Sequence, residues 1–112
     1  MKRIASLQEL KNEIKTNENV WLLLYKKGSE QSDCAFRNFE KAGLNVTALA
    51  LCVANVNEVR DIHPEYQITS VPSLLNFEKG ELKNIVKGCH QPEHFSAIFE
   101  KVGFVTDRKS VV

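Results

Sequence analysis

The feature that most constrains the fold of this chain is an uninterrupted apolar run, VWLLLY, at residues 20–25. Such a run predicts a strand covered on both faces, because a strand with one face in water alternates apolar and polar side chains. Residues 46–56 are also largely apolar and predict a second buried strand. The helical pattern between the two strands then predicts a right-handed parallel crossover.

Caps and turns predict the remaining elements. Ser6 and Glu9 have the spacing of a capping box, which predicts a helix over residues 7–16 after a short edge strand at residues 2–5. The second helix is predicted to start at Ser32, whose hydroxyl would satisfy its first amides, and to end at Gly43. Further along, the pattern predicts a short helix at 58–66 and a hairpin of strands 73–78 and 82–87. A last amphipathic helix is predicted to begin at Pro92. Its apolar face consists of Phe95, Ile98, Phe99 and Val102.

Length and composition place the chain among ordinary globular proteins. The 112 residues fit one domain, predicted at residues 1–105 with a short polar tail at 106–112. A net charge of +1 from scattered Lys and Arg indicates neither a nucleic-acid surface nor a membrane patch. No segment has the length of a membrane span or of a signal peptide's apolar region. The odd number of widely spaced cysteines favours a reducing compartment, so we expect a cytoplasmic protein.

Several motifs in this order of elements resemble the thioredoxin family. Residues 70–81 (SVPSLLNFEKGE) resemble the family's stretch from its cis-proline through its hairpin turn, and residues 55–57, 64–68 and 86–88 resemble neighbouring family segments. The resemblance covers about residues 2–102. It implies an α/β fold, a thioredoxin-like three-layer sandwich in which helices flank a mixed central sheet, and it implies that the Val71–Pro72 bond is cis.

The same resemblance implies that the redox pair of the family is missing. Counted from Tyr25, the active-site tetrapeptide becomes Ser-Glu-Gln-Ser at residues 29–32, and Gly28 replaces the preceding tryptophan. Leu23 and Val53 occupy the positions of the buried Asp and Lys that support the second thiol. A serine hydroxyl provides no thiolate at neutral pH, so we expect no thioredoxin-type disulfide reductase activity.

What the resemblance leaves in place is a groove that would hold an extended protein or peptide segment by strand addition. The groove residues are Gly28, Ser29, Glu30, Gln31, Ser32, Val71, Pro72, Gly88 and Cys89. The first functional hypothesis is therefore a redox-inactive binding module without cofactor or metal. Another hypothesis, the third of three, is a structural subunit of a complex. Participation in cell redox homeostasis would follow only from membership of the family.

The second hypothesis is an atypical thiol–disulfide protein that uses Cys89, either alone or with Cys34 as its partner. Cys89 follows Gly88 on the groove rim, and Cys34 lies near the start of the second helix, where the helix dipole favours a thiolate. Each is also explained as a small packed residue, as is Cys52 in its strand. His90 and His94 are four residues apart, which suits a metal ligand pair, but solvated helix-start histidines explain them better.

Overall fold

The computed structural model describes residues 1–44, 46 and 49–100. Its elements follow in the order β1 (Lys2–Arg3), α1 (Leu7–Thr16), β2 (Asn19–Tyr25), α2 (Glu30–Gly43), β3 (Ala50–Asn55), β4 (Ser73–Glu78), β5 (Glu81–Lys87) and α3 (Pro92–Ile98). The sheet order is β1-β3-β2-β4-β5. Strands β1, β3 and β2 are parallel, and β4 and β5 complete the sheet as an antiparallel hairpin.

Strand β2 is central, as its continuous apolar run predicts. Val20, Leu22 and Leu24 point into a core beneath α1. Trp21, Leu23 and Tyr25 point into a second core, which α2 and α3 cover with side chains that include Ala35, Phe39, Phe95 and Phe99. Alternate residues of a strand face opposite sides of its sheet, so this one run builds both cores. The predicted three-layer α/β sandwich is confirmed.

The start of α1 follows the predicted capping pattern with one difference. The Ser6 hydroxyl accepts a hydrogen bond from the Glu9 amide (3.2 Å). The Glu9 carboxylate in turn accepts from the amide of Ala5 (3.1 Å), one residue before the cap. The edge strand is shorter than predicted, although the Ile4 amide still donates to the Val53 carbonyl (2.9 Å).

Two predicted boundaries are wrong, and one predicted helix does not form. Helix α2 starts at Glu30, two residues before Ser32. Strand β3 starts at Ala50 rather than at residue 46, and residues 47 and 48 of that prediction lie outside the described residues. Residues 58–66 form turns and bends instead of the predicted helix.

Only some of the predictions for the C-terminal part of the chain fall on described residues. Helix α3 begins at Pro92 as predicted, and Phe95 and Phe99 are fully buried. Val102 and the predicted polar tail at 106–112 lie outside the described residues. Within the described part of the chain, no helix has the length and apolar character needed to cross a membrane.

Candidate functional site

A disulfide between Cys34 and Cys89 joins α2 to the loop between β5 and α3. Cys34 is the fifth residue of α2, and its Cα lies 5.8 Å from that of Cys89. Ala35 and Phe39 turn toward the sheet, and 100° per residue therefore places Cys34 on the flank of the helix, facing the loop. Both cysteines are half-buried. The structure thus pairs the two thiols whose pairing the sequence left open.

The side chain of Asn38, one turn after Cys34, lies against the disulfide. Its Nδ2 atom donates to the His90 carbonyl oxygen (2.8 Å) and lies 3.5 Å from Cys89 Sγ and 3.7 Å from Cys34 Sγ. Asn38 was not among the residues predicted from the sequence, because an asparagine within a helix carries no signal of its own. Its position four residues after a cysteine would have been the only available pointer.

The two histidines near the disulfide stack on each other. The ring centroids of His90 and His94 are 4.5 Å apart, and the His90 Nε2 atom lies 2.9 Å from the Lys87 carbonyl oxygen. Among the described residues, no group of His, Cys, Asp and Glu side chains is arranged to hold a metal ion. His90 lies in the loop that carries Cys89, and His94 lies in the first turn of α3.

The loop with Cys89 is attached to the start of β4. The Gly88 amide donates to the Pro72 carbonyl oxygen (3.0 Å), and the Val71–Pro72 peptide bond is cis. Gly88 has a φ of 90°, a conformation that favours glycine. Val71 makes no hydrogen bond to any described residue, so both of its backbone polar groups are free. An unpaired backbone therefore lies beside the segment that carries the disulfide.

The serines at the start of α2 differ in environment. Ser29 is the N-cap residue, and its side chain makes no capping hydrogen bond. Ser32 is fully buried, and its hydroxyl accepts from the Lys26 amide (3.0 Å). The prediction that Ser32 caps the helix is wrong, because the helix has already begun. Glu30 and Gln31 between them are exposed.

Gly28 belongs to the predicted groove, whereas Leu23 and Val53 occupy the positions that the resemblance assigns to the family's buried Asp and Lys. Gly28 has a φ of 97°, and its amide donates to the Asp33 carboxylate (3.3 Å). Leu23 and Val53 are buried register partners across β2 and β3. The positions that the resemblance assigns to a buried ion pair are thus neighbours with apolar side chains.

The third cysteine, Cys52, is isolated in the core. It is free and fully buried in β3, on the α1 side of the sheet. Burial raises the pKa of the Cys52 thiol to about 12. This thiol is therefore protonated at neutral pH and is not a candidate nucleophile.

A separate cavity lies on another face of α2. Its volume is about 430 Å³, and its lining includes Arg3, Tyr25, Phe36 and Asn55. The Arg3 guanidinium donates to the Tyr25 hydroxyl across it (3.3 Å). Neither cysteine of the disulfide lines this cavity, so it is distinct from the site at Cys34 and Cys89.

The order β1-β3-β2-β4-β5, with one helix on one face and two on the other, is the thioredoxin fold. Thioredoxin from Plasmodium falciparum superposes with a TM-score of 0.83 at 20% identity, over 91% of this chain and 99% of that one. The oxidised form of mitochondrial thioredoxin 3 from Saccharomyces cerevisiae superposes with a TM-score of 0.81 at 19% identity, over 91% and 95%. These likenesses show the fold.

Sequence similarity gives the family. The chain is 32% identical over 81 residues to the thioredoxin of Mycoplasma pneumoniae (strain ATCC 29342 / M129 / Subtype 1), which is 72% of this chain and 79% of that protein. No family model matches the sequence. The chain belongs to the thioredoxin family.

Proposed function

We propose that this chain is a thiol–disulfide redox protein of the thioredoxin family whose working pair is Cys34 and Cys89. The observation that carries the proposal is the disulfide between α2 and the loop after β5. It is half-buried, so a partner thiol approaching from solvent has access to it. The proposed pair replaces the Cys-X-X-Cys motif, whose place the resemblance assigns to residues 29–32.

The proposed reaction is a two-electron exchange with a thiol or dithiol. A partner thiolate attacks one sulfur of the disulfide, forms a mixed disulfide and releases the other sulfur as a thiolate. A second partner thiolate then attacks the mixed disulfide. The products are two cysteine thiols on this chain and one partner disulfide. The protons of the new thiols come from the partner thiols. The same steps in reverse reduce a partner disulfide and re-form the disulfide of this chain. A pair that cycles in this way also fits the cytoplasmic location expected from the cysteine pattern.

A second function, binding of an extended protein segment, is favoured by the free backbone of Val71. An amide and a carbonyl without partners can pair with an incoming strand. The Gly88–Pro72 hydrogen bond keeps the loop with Cys89 next to that backbone. In this proposal the groove, which includes Gly28, Ser29 and Val71, holds the partner whose thiol or disulfide reacts at the cysteine pair.

The redox proposal is tested by reduction of insulin disulfides with dithiothreitol as electron donor. The wild type is expected to accelerate insulin reduction over dithiothreitol alone, and Cys34→Ser and Cys89→Ser to lose that acceleration. Cys52→Ser is the matched control, because it removes a buried thiol outside the pair, and it is expected to retain the activity. A wild type that equals the background, or a Cys89→Ser variant with full activity, would refute the redox proposal.

The binding proposal has its own test. Reduced and alkylated insulin B chain, which has no free thiol, is titrated into the oxidised protein while amide resonances are followed by NMR. Saturable shifts centred on Val71 and Gly88 are expected. Shifts confined to residues elsewhere, or none at millimolar peptide, would contradict binding at this backbone.

A further inference from the structure

We infer that the side-chain amide of Asn38 stabilises the thiolate that forms when the Cys34–Cys89 disulfide is reduced, and so controls the reactivity of the pair. This inference rests on the proposed redox function and adds a third group to it. Asn38 contacts both reacting sulfurs but is not itself oxidised or reduced.

The position of the Asn38 amide is fixed by a hydrogen bond independent of the sulfurs. Its Nδ2 atom donates to the His90 carbonyl oxygen at 2.8 Å. An amide nitrogen carries two hydrogens, so the other is free to donate to sulfur. The sulfurs of Cys89 and Cys34 lie 3.5 Å and 3.7 Å from this nitrogen, within hydrogen-bond range for sulfur.

The chemistry of reduction gives this contact its effect. A disulfide sulfur is a weak acceptor, whereas a thiolate carries a full negative charge and accepts a stronger, charge-assisted hydrogen bond. A donor to the charged form favours that form. Asn38 is the only side-chain donor to either sulfur among the described residues. Its effect should therefore appear as a larger thiolate fraction at neutral pH.

The neighbouring titratable groups do not provide an alternative donor. His90 and His94 stack on each other, and the His90 ring nitrogen Nε2 is engaged by the Lys87 carbonyl. Asp33 and Arg37 of α2 line the separate cavity on another face of the helix. No ion pair among the described residues includes a group from the β5–α3 loop or from α3.

The test compares the pH dependence of alkylation by iodoacetamide in the reduced wild type, Asn38→Leu and Asn38→Asp. Removal of the donor in Asn38→Leu is expected to move the midpoint of the alkylation rate against pH to higher pH. It is also expected to slow alkylation at pH 7 by about fivefold. Asn38→Asp, which places a carboxylate beside the sulfurs, is expected to slow it further. Asn12→Leu is the matched control, because it makes the same change on the exposed face of α1.

The outcomes separate the inference from the function on which it rests. Asn38→Leu with a wild-type midpoint, in a protein that insulin reduction shows to be active, would overturn the role of Asn38 alone. A wild type inactive with insulin would overturn the redox function itself. Thermal unfolding of each oxidised variant provides a second reading, because a merely structural Asn38 would change the unfolding temperature and leave the alkylation midpoint unmoved.

Discussion

At the scale of single residues, the three cysteines show how environment decides thiol chemistry. Cys52 lies in a central strand and faces the core beneath α1, where nothing solvates a thiolate. Cys34 and Cys89 are half-buried on a helix flank and in a loop. Reactivity in this chain is therefore expected only where a cysteine is partly exposed and has a polar neighbour.

The raised pKa of Cys52 predicts a pH dependence of stability. The folded protein keeps this proton up to about pH 12, whereas the unfolded chain loses it near the ordinary pKa of 9.0. Above pH 9 the unfolded state binds fewer protons than the folded state, so the contribution of this group to stability falls as pH rises, by up to about 1.4 kcal/mol per pH unit. The full contribution is present below pH 9.

Urea unfolding between pH 8 and 11 measures this effect. The measurement uses a background of Cys34→Ser and Cys89→Ser, in which no disulfide can exchange with the Cys52 thiolate. Adding Cys52→Ala is expected to flatten the decline of unfolding free energy above pH 9. If both proteins lose stability in parallel over this range, Cys52 does not hold its proton as its burial requires.

At the scale of elements, the start of α2 depends on a buried hydroxyl. The helix begins after Ser29, and the buried Ser32 hydroxyl accepts from the Lys26 amide and so ties the preceding loop to the first turn. Loss of a hydrogen-bond acceptor costs about 1–3 kcal/mol where the donor is buried, and this hydrogen bond is partly buried. Of the two serines in the Ser-Glu-Gln-Ser segment, Ser32 is therefore expected to contribute more to the stability of the fold.

The two serines provide a matched pair of variants. Ser32→Ala is expected to lower the unfolding free energy by about 1–2 kcal/mol. Ser29→Ala removes a side chain without a capping hydrogen bond and is expected to change it by less than about 0.5 kcal/mol. Chemical denaturation of both variants checks the difference, and equal losses would show that Ser29 caps the helix in solution.

The elements also show what sequence patterns predict. The run at residues 20–25 and the hairpin from Ser73 to Lys87 were predictable because local side-chain patterns and turn residues determine them. The start of α2 was not, since Ser32 was assigned as the cap, whereas its hydroxyl accepts from the Lys26 amide of the preceding loop and the helix starts at Glu30. The helix predicted at 58–66 does not form, and isolated turns occur there, one of them closed by the hydrogen bond from the Tyr66 amide to the Ile62 carbonyl oxygen.

At the scale of the whole molecule, the candidate site depends on contacts between distant parts of the chain. The two cysteines are separated by 55 residues, and they meet because α2 and α3 pack on the same face of the sheet through Phe39, Phe95 and Phe99. No local pattern encodes such a meeting. The groove residues remain a prediction from the family resemblance, whereas establishing the pairing of Cys34 with Cys89, and the position of Asn38 beside it, required the folded structure.

The disulfide also ties the redox state of the chain to its stability. A cross-link that closes a loop of 55 residues restricts the unfolded chain, which stabilises the folded state by about 2–4 kcal/mol. Neither Cys34 nor Cys89 belongs to the fully buried residues of the two cores, with α1 on one side and α2 and α3 on the other, although Cys89 packs against the second core. We therefore expect the reduced protein to stay folded but to unfold at lower urea concentration than the oxidised protein.

The urea midpoints of the two forms measure this difference, and the Cys34→Ser, Cys89→Ser protein should match the reduced form. Identical midpoints for oxidised and reduced wild type would mean that no such cross-link forms in solution, whereas loss of structure on reduction would mean that the cores need it to fold.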